Sequence, residues 1–256
     1  MPKSSTVKST DGTEIAYRQG GNGPPLILIH GGGLSGQTLW DTMQPQFISD
    51  TTLLVPDRRG HGDSGDTSDY NLEQEVADIH SIIESVGSNP TLFGHSYGGL
   101  CALEAAREAT VKRLILYEPA ILTGEHKDDA NLSDEMEKLL DAGERRQAVK
   151  QYLRESAGLE NIERLPIWPE IVNHAKIIVR QNRAIEQYRL EDLDISVPTL
   201  LLRSEEGPEH LRDGVGRLHE TLPNSQLVEL KDMGHNGVYS NSEQVANEIW
   251  AFMQET

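Results

Sequence analysis

The chain has 256 residues, 36% hydrophobic and 25% charged, the proportions of a globular chain long enough to bury one substantial core and expected to form a single domain. Aspartate and glutamate total 41 against 23 lysines and arginines, and the resulting formal charge of -18 repels phosphate backbones and anionic bilayers, which argues against nucleic acid or a membrane as partner. No apolar stretch reaches the roughly 18 residues of a membrane helix, Cys101 has no second cysteine to pair with, and the opening MPKSSTVKSTDGTE lacks the apolar centre of a secretory signal, so a cytoplasmic location is expected.

In chain order, Thr6 to Arg18 holds the turn dipeptide Asp11-Gly12 at its middle and predicts an antiparallel edge hairpin. Apolar runs follow at Leu26 to Ile29, Thr52 to Val55, Pro90 to Phe93, Arg113 to Tyr117, Pro198 to Leu202 and Gln226 to Leu230. They mostly lack polar alternation, as strands buried on both faces of a parallel sheet do. Helical spacing appears between several of them, clearest at Leu72, Val76, Ile79, Ile83 and Val86, where Gly87 stops it. Strand-helix alternation of this kind predicts an α/β fold, a mostly parallel twisted sheet flanked by helices.

Residues 121–190 break the alternation and read as an inserted helical cap on a core made of residues 1–120 and 191–256. Ser133 is placed to cap a helix opening with Asp134 and Glu135 and ending near Gly143. A second helix is expected from about Glu144 to Gly158, and a third with Pro169 in its first turn. Their apolar stripes, which include Met136, Leu140, Val149, Tyr152, Trp168 and Ile178, are expected to close over the carboxyl edge of the sheet.

The chemistry concentrates in PTLFGHSYGG, Pro90 to Gly99. A serine hydroxyl is a poor nucleophile unless held exposed beside a base, and a tight turn from strand to helix with glycine on both sides holds it so. Ser96 is therefore the candidate nucleophile. Upstream, His30 to Gly33 reads HGGG, and glycines after a strand let backbone N–H groups approach a carbonyl oxygen. Gly32 and Tyr97 are the candidate oxyanion-hole donors. Among nine histidines, His235 in DMGHNG follows the last apolar run on a loop where an imidazole reaches the same sheet edge, and it is the candidate base. His95 is confined within the turn, His80 lies in a helical pattern and His61 in RRGHGDS, while His126, His174, His210 and His219 are expected on the solvated surface. No histidine pair has metal-ligand spacing with a cysteine or carboxylate, and the glycines of His30 to Gly33 do not form GxGxxG, so no metal, nucleotide or flavin cofactor is expected.

Through HGGG, the DRRGHGDS turn at Asp57 to Ser64, GHSYGG and the late Gly234-His235, the chain resembles the α/β-hydrolase superfamily over essentially its whole length. The resemblance implies Ser96 as nucleophile, His235 as general base and a scaffold role for Asp57 and Asp63. It also exposes a departure. Many members of the superfamily carry the triad acid in a GxxDP-like turn after the strand matching Thr199 to Leu202, but here that turn reads Ser204-Glu205-Glu206-Gly207-Pro208, with Gly207 in the aspartate's place. Another branch takes the acid from the end of the strand after the elbow helix, where this chain has Glu118 in LILYEPA. Glu118 is the leading candidate, with Glu206 and Glu205 as alternatives.

A serine at the elbow implies ester chemistry through an acyl-enzyme, and an acid at Glu118 resembles certain lactonases of the superfamily. The expected function is hydrolysis of a carboxylic ester or lactone, with that small molecule as the partner and the chain a monomer or homodimer. Gly33, Leu34 and Trp168 are candidate pocket residues, and Trp40, Tyr97 and Tyr239 are further aromatics that favour an apolar or aromatic substrate group. Two alternatives share these residues. One is a cofactor-free dioxygenase of similar fold, the other a hydrolase-like receptor that binds its ligand with little turnover.

Overall fold

A computed structural model describes residues 3–190 and 193–254. Gly12 reverses the chain at φ 87, a conformation side chains resist, and Asp11 Oδ1 accepts the Thr13 N–H at 2.9 Å. This turn pairs β1 (Lys3–Lys8) with β2 (Glu14–Gly20) antiparallel. Next come β3 (Pro25–Ile29) and β4 (Thr52–Pro56), which pair parallel, while β2 joins β4 antiparallel. The remaining strands, β5 (Thr91–His95), β6 (Arg113–Tyr117), β7 (Thr199–Ser204) and β8 (Ser225–Leu230), extend the sheet in parallel. The strand order is β1-β2-β4-β3-β5-β6-β7-β8, and each of the six apolar runs forms one of its strands, with Pro90 and Pro198 just before β5 and β7.

The runs lack polar alternation because both faces of the sheet are covered. Leu26, Leu28, Phe93, Ile115, Leu200 and Leu202 point into one apolar layer, and Ile27, Ile29, Leu92, Leu114, Leu116 and Leu201 into the other. The first layer is filled by the short helices α1 (Gly36–Leu39) and α2 (Gln44–Phe47) and by residues from the C-terminal part of the chain. The second is filled by α3 (Leu72–Val86) and α4 (Tyr97–Glu108). A capping box between Asn71 and Gln74 opens α3, and Gly87 at φ 68 closes it, as its spacing predicts.

Between β6 and β7 the described residues form α5 (Gly124–Asp128), α6 (Leu132–Asp141), α7 (Arg145–Ala157), α8 (Trp168–Asn173) and α9 (Ala175–Gln187), with one 3₁₀ turn at Ile162–Arg164 and no strand. Two expectations need correction. Ser133 does not cap α6 from outside; it sits in the first turn, where its N–H donates to Glu186 Oε1 at 2.8 Å and its hydroxyl donates to Glu186 Oε2. A carboxylate from α9 thus satisfies the N-terminal donors that a local cap would have served. The single helix expected around Pro169 is two, parted at His174, whose ψ of 5 departs from the helical value. The chain ends with α10 (Glu209–Thr221), α11 (Gly237–Ser240) and α12 (Ser242–Gln254), of which α10 packs into the second layer and α12 into the first.

Candidate active site

Ser96 joins the buried strand β5 to α4 at φ 54 and ψ -124, a strained pairing for a residue with a side chain. Its surroundings hold it there: the Ser96 N–H donates to Tyr117 O at 3.0 Å, and Ser96 O accepts from Ala120 at 3.0 Å. Gly98 admits the close approach this turn requires, since a Cβ there would stand 2.2 Å from His30 O and 2.5 Å from Ile29 O. Ser96 remains half-buried and faces a cavity of about 200 Å³.

Glu118 directly follows β6 next to the elbow, fully buried and at φ 40. Its carboxylate accepts three hydrogen bonds: Oε1 from the Ser204 N–H at 2.9 Å and from the Ser204 hydroxyl, Oε2 from His235 Nδ1 at 2.7 Å. Three donors suit an ionised carboxylate, and the last bond places the imidazole proton on Nδ1. Gly207 makes room for this, because a Cβ there would lie 2.3 Å from Glu118 Oε1. Glu205 and Glu206 are exposed, and Glu205 pairs with Lys231 at 3.0 Å. Of the three candidate acids, Glu118 is the one that meets His235.

The His235 loop is clamped from below. Tyr117 Oη donates to Gly234 O at 2.8 Å, and His95 Nε2 donates to His235 O at 2.9 Å with the two rings stacked 4.5 Å apart. Burial, reinforced by the neighbouring His235, holds His95 well below the usual histidine range, so it is a neutral N–H donor. Trp40 packs edge-on against His95 at 6.3 Å and is fully buried. Among the described residues no hydrogen bond joins Ser96 Oγ to the His235 ring.

The glycine loop is braced by Arg58 from the DRRGHGDS turn. Arg58 Nε donates to His30 O at 2.8 Å and Nη2 to Gly31 O at 3.0 Å, while Nη1 forms a buried ion pair with Glu75 at 2.8 Å. The Arg58 N–H donates to His30 Nε2 at 2.9 Å, leaving His30 Nδ1 to donate to Gly31 O at 2.8 Å. Asp57 serves the scaffold, accepting from the Gly36 and Asp63 N–H groups at 2.9 and 3.0 Å. Neither the Gly32 nor the Tyr97 N–H has a hydrogen-bond acceptor among the described residues, and both residues line the cavity with Ser96.

The other expected pocket residues lie elsewhere. Trp168 is 4% exposed in the apolar layer, Leu34 is buried in that same layer, and a Cβ on Gly33 would face Ile171 and Ile178. Tyr239 is 43% exposed and does not line the cavity. The cavity is walled instead by Tyr152, Gln181, Asn182, Leu132 and Ile185 from the helical segment and by His126 and His210. His126, His174 and His210 were expected on the surface; long-range packing, which leaves no local signal, half-buries all three, and His174 Nδ1 donates to Gly33 O at 2.9 Å. Burial, with His235 and His126 nearby, lowers His210 to about 4, so it is neutral at physiological pH.

Residues 26–248 match the family model described as "Alpha/beta hydrolase family". The solved structure of an alpha/beta hydrolase from Sphaerobacter thermophilus DSM 20745 superposes with a TM-score of 0.85 at 27% identity, covering 98% of this chain and 100% of the other. An esterase from Exiguobacterium antarcticum superposes at 0.84 with 20% identity over 99% of this chain and 100% of the other, a likeness of fold. A probable protein phosphatase methylesterase 1 from Caenorhabditis elegans is 35% identical over 95 residues, 34% of this chain and 26% of the relative. The first curated relatives are matched over only 26–35% of their own length.

Proposed function

The chain belongs to the alpha/beta hydrolase family, and from that premise we propose that it is a serine hydrolase cleaving a small carboxylic ester or lactone through an acyl-enzyme on Ser96. The observation that carries this reading is the 2.7 Å bond between Glu118 and His235 next to a serine held on the turn from β5 to α4. The ester named in the methylesterase relative lends weight to that substrate class.

Glu118 Oε2 accepts the His235 Nδ1 proton and leaves Nε2 as the base. Ser96 Oγ attacks the acyl carbon as Nε2 takes its proton, and the carbonyl electrons move onto oxygen, where the N–H groups of Gly32 and Tyr97 receive the negative charge. The imidazolium is stabilised by Glu118 and returns its proton to the departing alcohol oxygen as the tetrahedral adduct collapses. Water then repeats the sequence on the acyl-enzyme, releasing the acid and restoring Ser96. With a lactone the freed alcohol remains part of the acyl chain through both halves, and the product is one hydroxy acid.

A fluorophosphonate label followed by mass mapping tests the reading. One adduct is expected at Ser96 and none in Ser96→Ala, together with turnover of p-nitrophenyl esters or lactones by the wild type alone. No adduct, with oxygen consumed alongside an electron-rich N-heteroaromatic compound or with a ligand stabilising the protein without product, would replace hydrolysis by the dioxygenase or the receptor alternative.

A further inference from the structure

Gly32 has no side chain, and the space its side chain would enter is occupied from above. A Cβ on Gly32 would stand 2.5 Å from Tyr152 Oη and 3.2 Å from the Gln181 amide. Tyr152 belongs to α7 and Gln181 to α9, so two polar groups of the helical segment descend on the glycine loop beside Ser96.

The two groups differ in what already holds them. The Gln181 amide finds partners when its oxygen faces Arg58, accepting from Nη1 at 3.3 Å and Nη2 at 3.1 Å. Tyr152 is 9% exposed, and its hydroxyl has no hydrogen-bond partner among the described residues. It lines the same cavity as Ser96 and Gly32, where it is free to donate to a bound group. Burial pushes the phenol up to about 12, so it enters catalysis protonated, as a donor. Arg58 also fixes the direction of the neighbouring peptide. With the Gly31 carbonyl turned onto Arg58, the trans peptide directs the Gly32 N–H the opposite way.

We propose that the Tyr152 hydroxyl donates a hydrogen bond to the acyl oxygen that becomes the oxyanion on Ser96, a third donor beside the N–H groups of Gly32 and Tyr97. The proposal rests on the acyl-enzyme reading above. It makes Tyr152 a catalytic residue supplied by a helix outside the sheet.

The test is Tyr152→Phe, which keeps the ring and removes the donor, assayed with p-nitrophenyl acetate alongside fluorophosphonate titration of Ser96. The expected result is a kcat lower by about 100-fold with KM nearly unchanged and full labelling of Ser96 at a reduced rate. Gly32→Ala, whose methyl group would displace the hydroxyl, is expected to show a similar loss and to add little to Tyr152→Phe in the double variant. An unchanged kcat, a rise in KM alone, or losses that simply multiply would overturn the proposal while labelling of Ser96 left the acyl-enzyme reading standing. Failure of that reading shows in the wild type instead, as absence of the Ser96 adduct with activity retained in Ser96→Ala, and would remove both.

Discussion

Glu118 accepts from His235 and twice from Ser204, a set of donors that only a deprotonated carboxylate satisfies in full. In Glu118→Gln one amide atom becomes a donor facing another donor, and the imidazole loses the group that fixes its tautomer. Turnover of p-nitrophenyl esters is expected to fall by about 10⁴-fold, while Glu205→Gln and Glu206→Gln leave it essentially unchanged. A large loss in either exposed variant would reassign the acid. The sequence carried half of this distinction. Glu118 stands out as the residue ending an apolar run, but the ends of β6 and β7 share one sheet edge, so pattern alone left three carboxylates open. What separates them is volume at Gly207, a contact between residues far apart in the chain.

At the scale of elements, the strands were legible because covering both faces of a sheet demands uninterrupted apolar runs, and α3 was legible because its cap and its stop are local. The helices between β6 and β7 were less so. A helix starting at Ser133 satisfies every local rule, yet its first turn is bound by Glu186 from α9, and nothing near Ser133 announces that carboxylate. Removing it should therefore act on α6 and not on the site of substitution alone. Glu186→Ala is expected to lower stability by about 1 to 2 kcal/mol, the cost of a lost helix cap. Urea unfolding measures the loss, and faster amide exchange confined to Leu132 to Glu135 locates it. The cavity wall escaped the sequence for the same reason: Tyr152, Gln181 and His210 converge on Ser96 from three helices whose periodicity reports an apolar face and not what stands above it.

For the molecule as a whole, the buried imidazoles of His30, His61 and His95 set a pH limit. His30, His61 and His95 are all held well below their ordinary value of 6.5, chiefly by burial, with Arg58 also acting on His30, and His30 and Arg58 on His61. Above pH 6.5 both folded and unfolded chains keep them neutral, and they impose no penalty. Below it the unfolded chain binds protons that the folded chain refuses, so stability declines as pH falls toward the native values. Each contributes about 1.4 kcal/mol per pH unit in that window. Few carboxylates titrate between pH 6.5 and 5, so relief of the -18 charge does not offset the loss there. Urea midpoints measured from pH 7.5 to 5 should drop steeply below 6.5, and a flat profile would show that these rings accept protons in place. The turn after β7 leads to a different conclusion. Because the imidazole's carboxylate partner arrives from the end of β6, the side chains of Glu205 and Glu206 stay exposed, Glu205 accepting from Lys231 and the Asp232 N–H. Glu206, exposed on that turn, offers an anchoring point for a dye or a solid support, whereas Ser204 is held by its two bonds to the carboxylate and any residue larger than Gly207 would jam it.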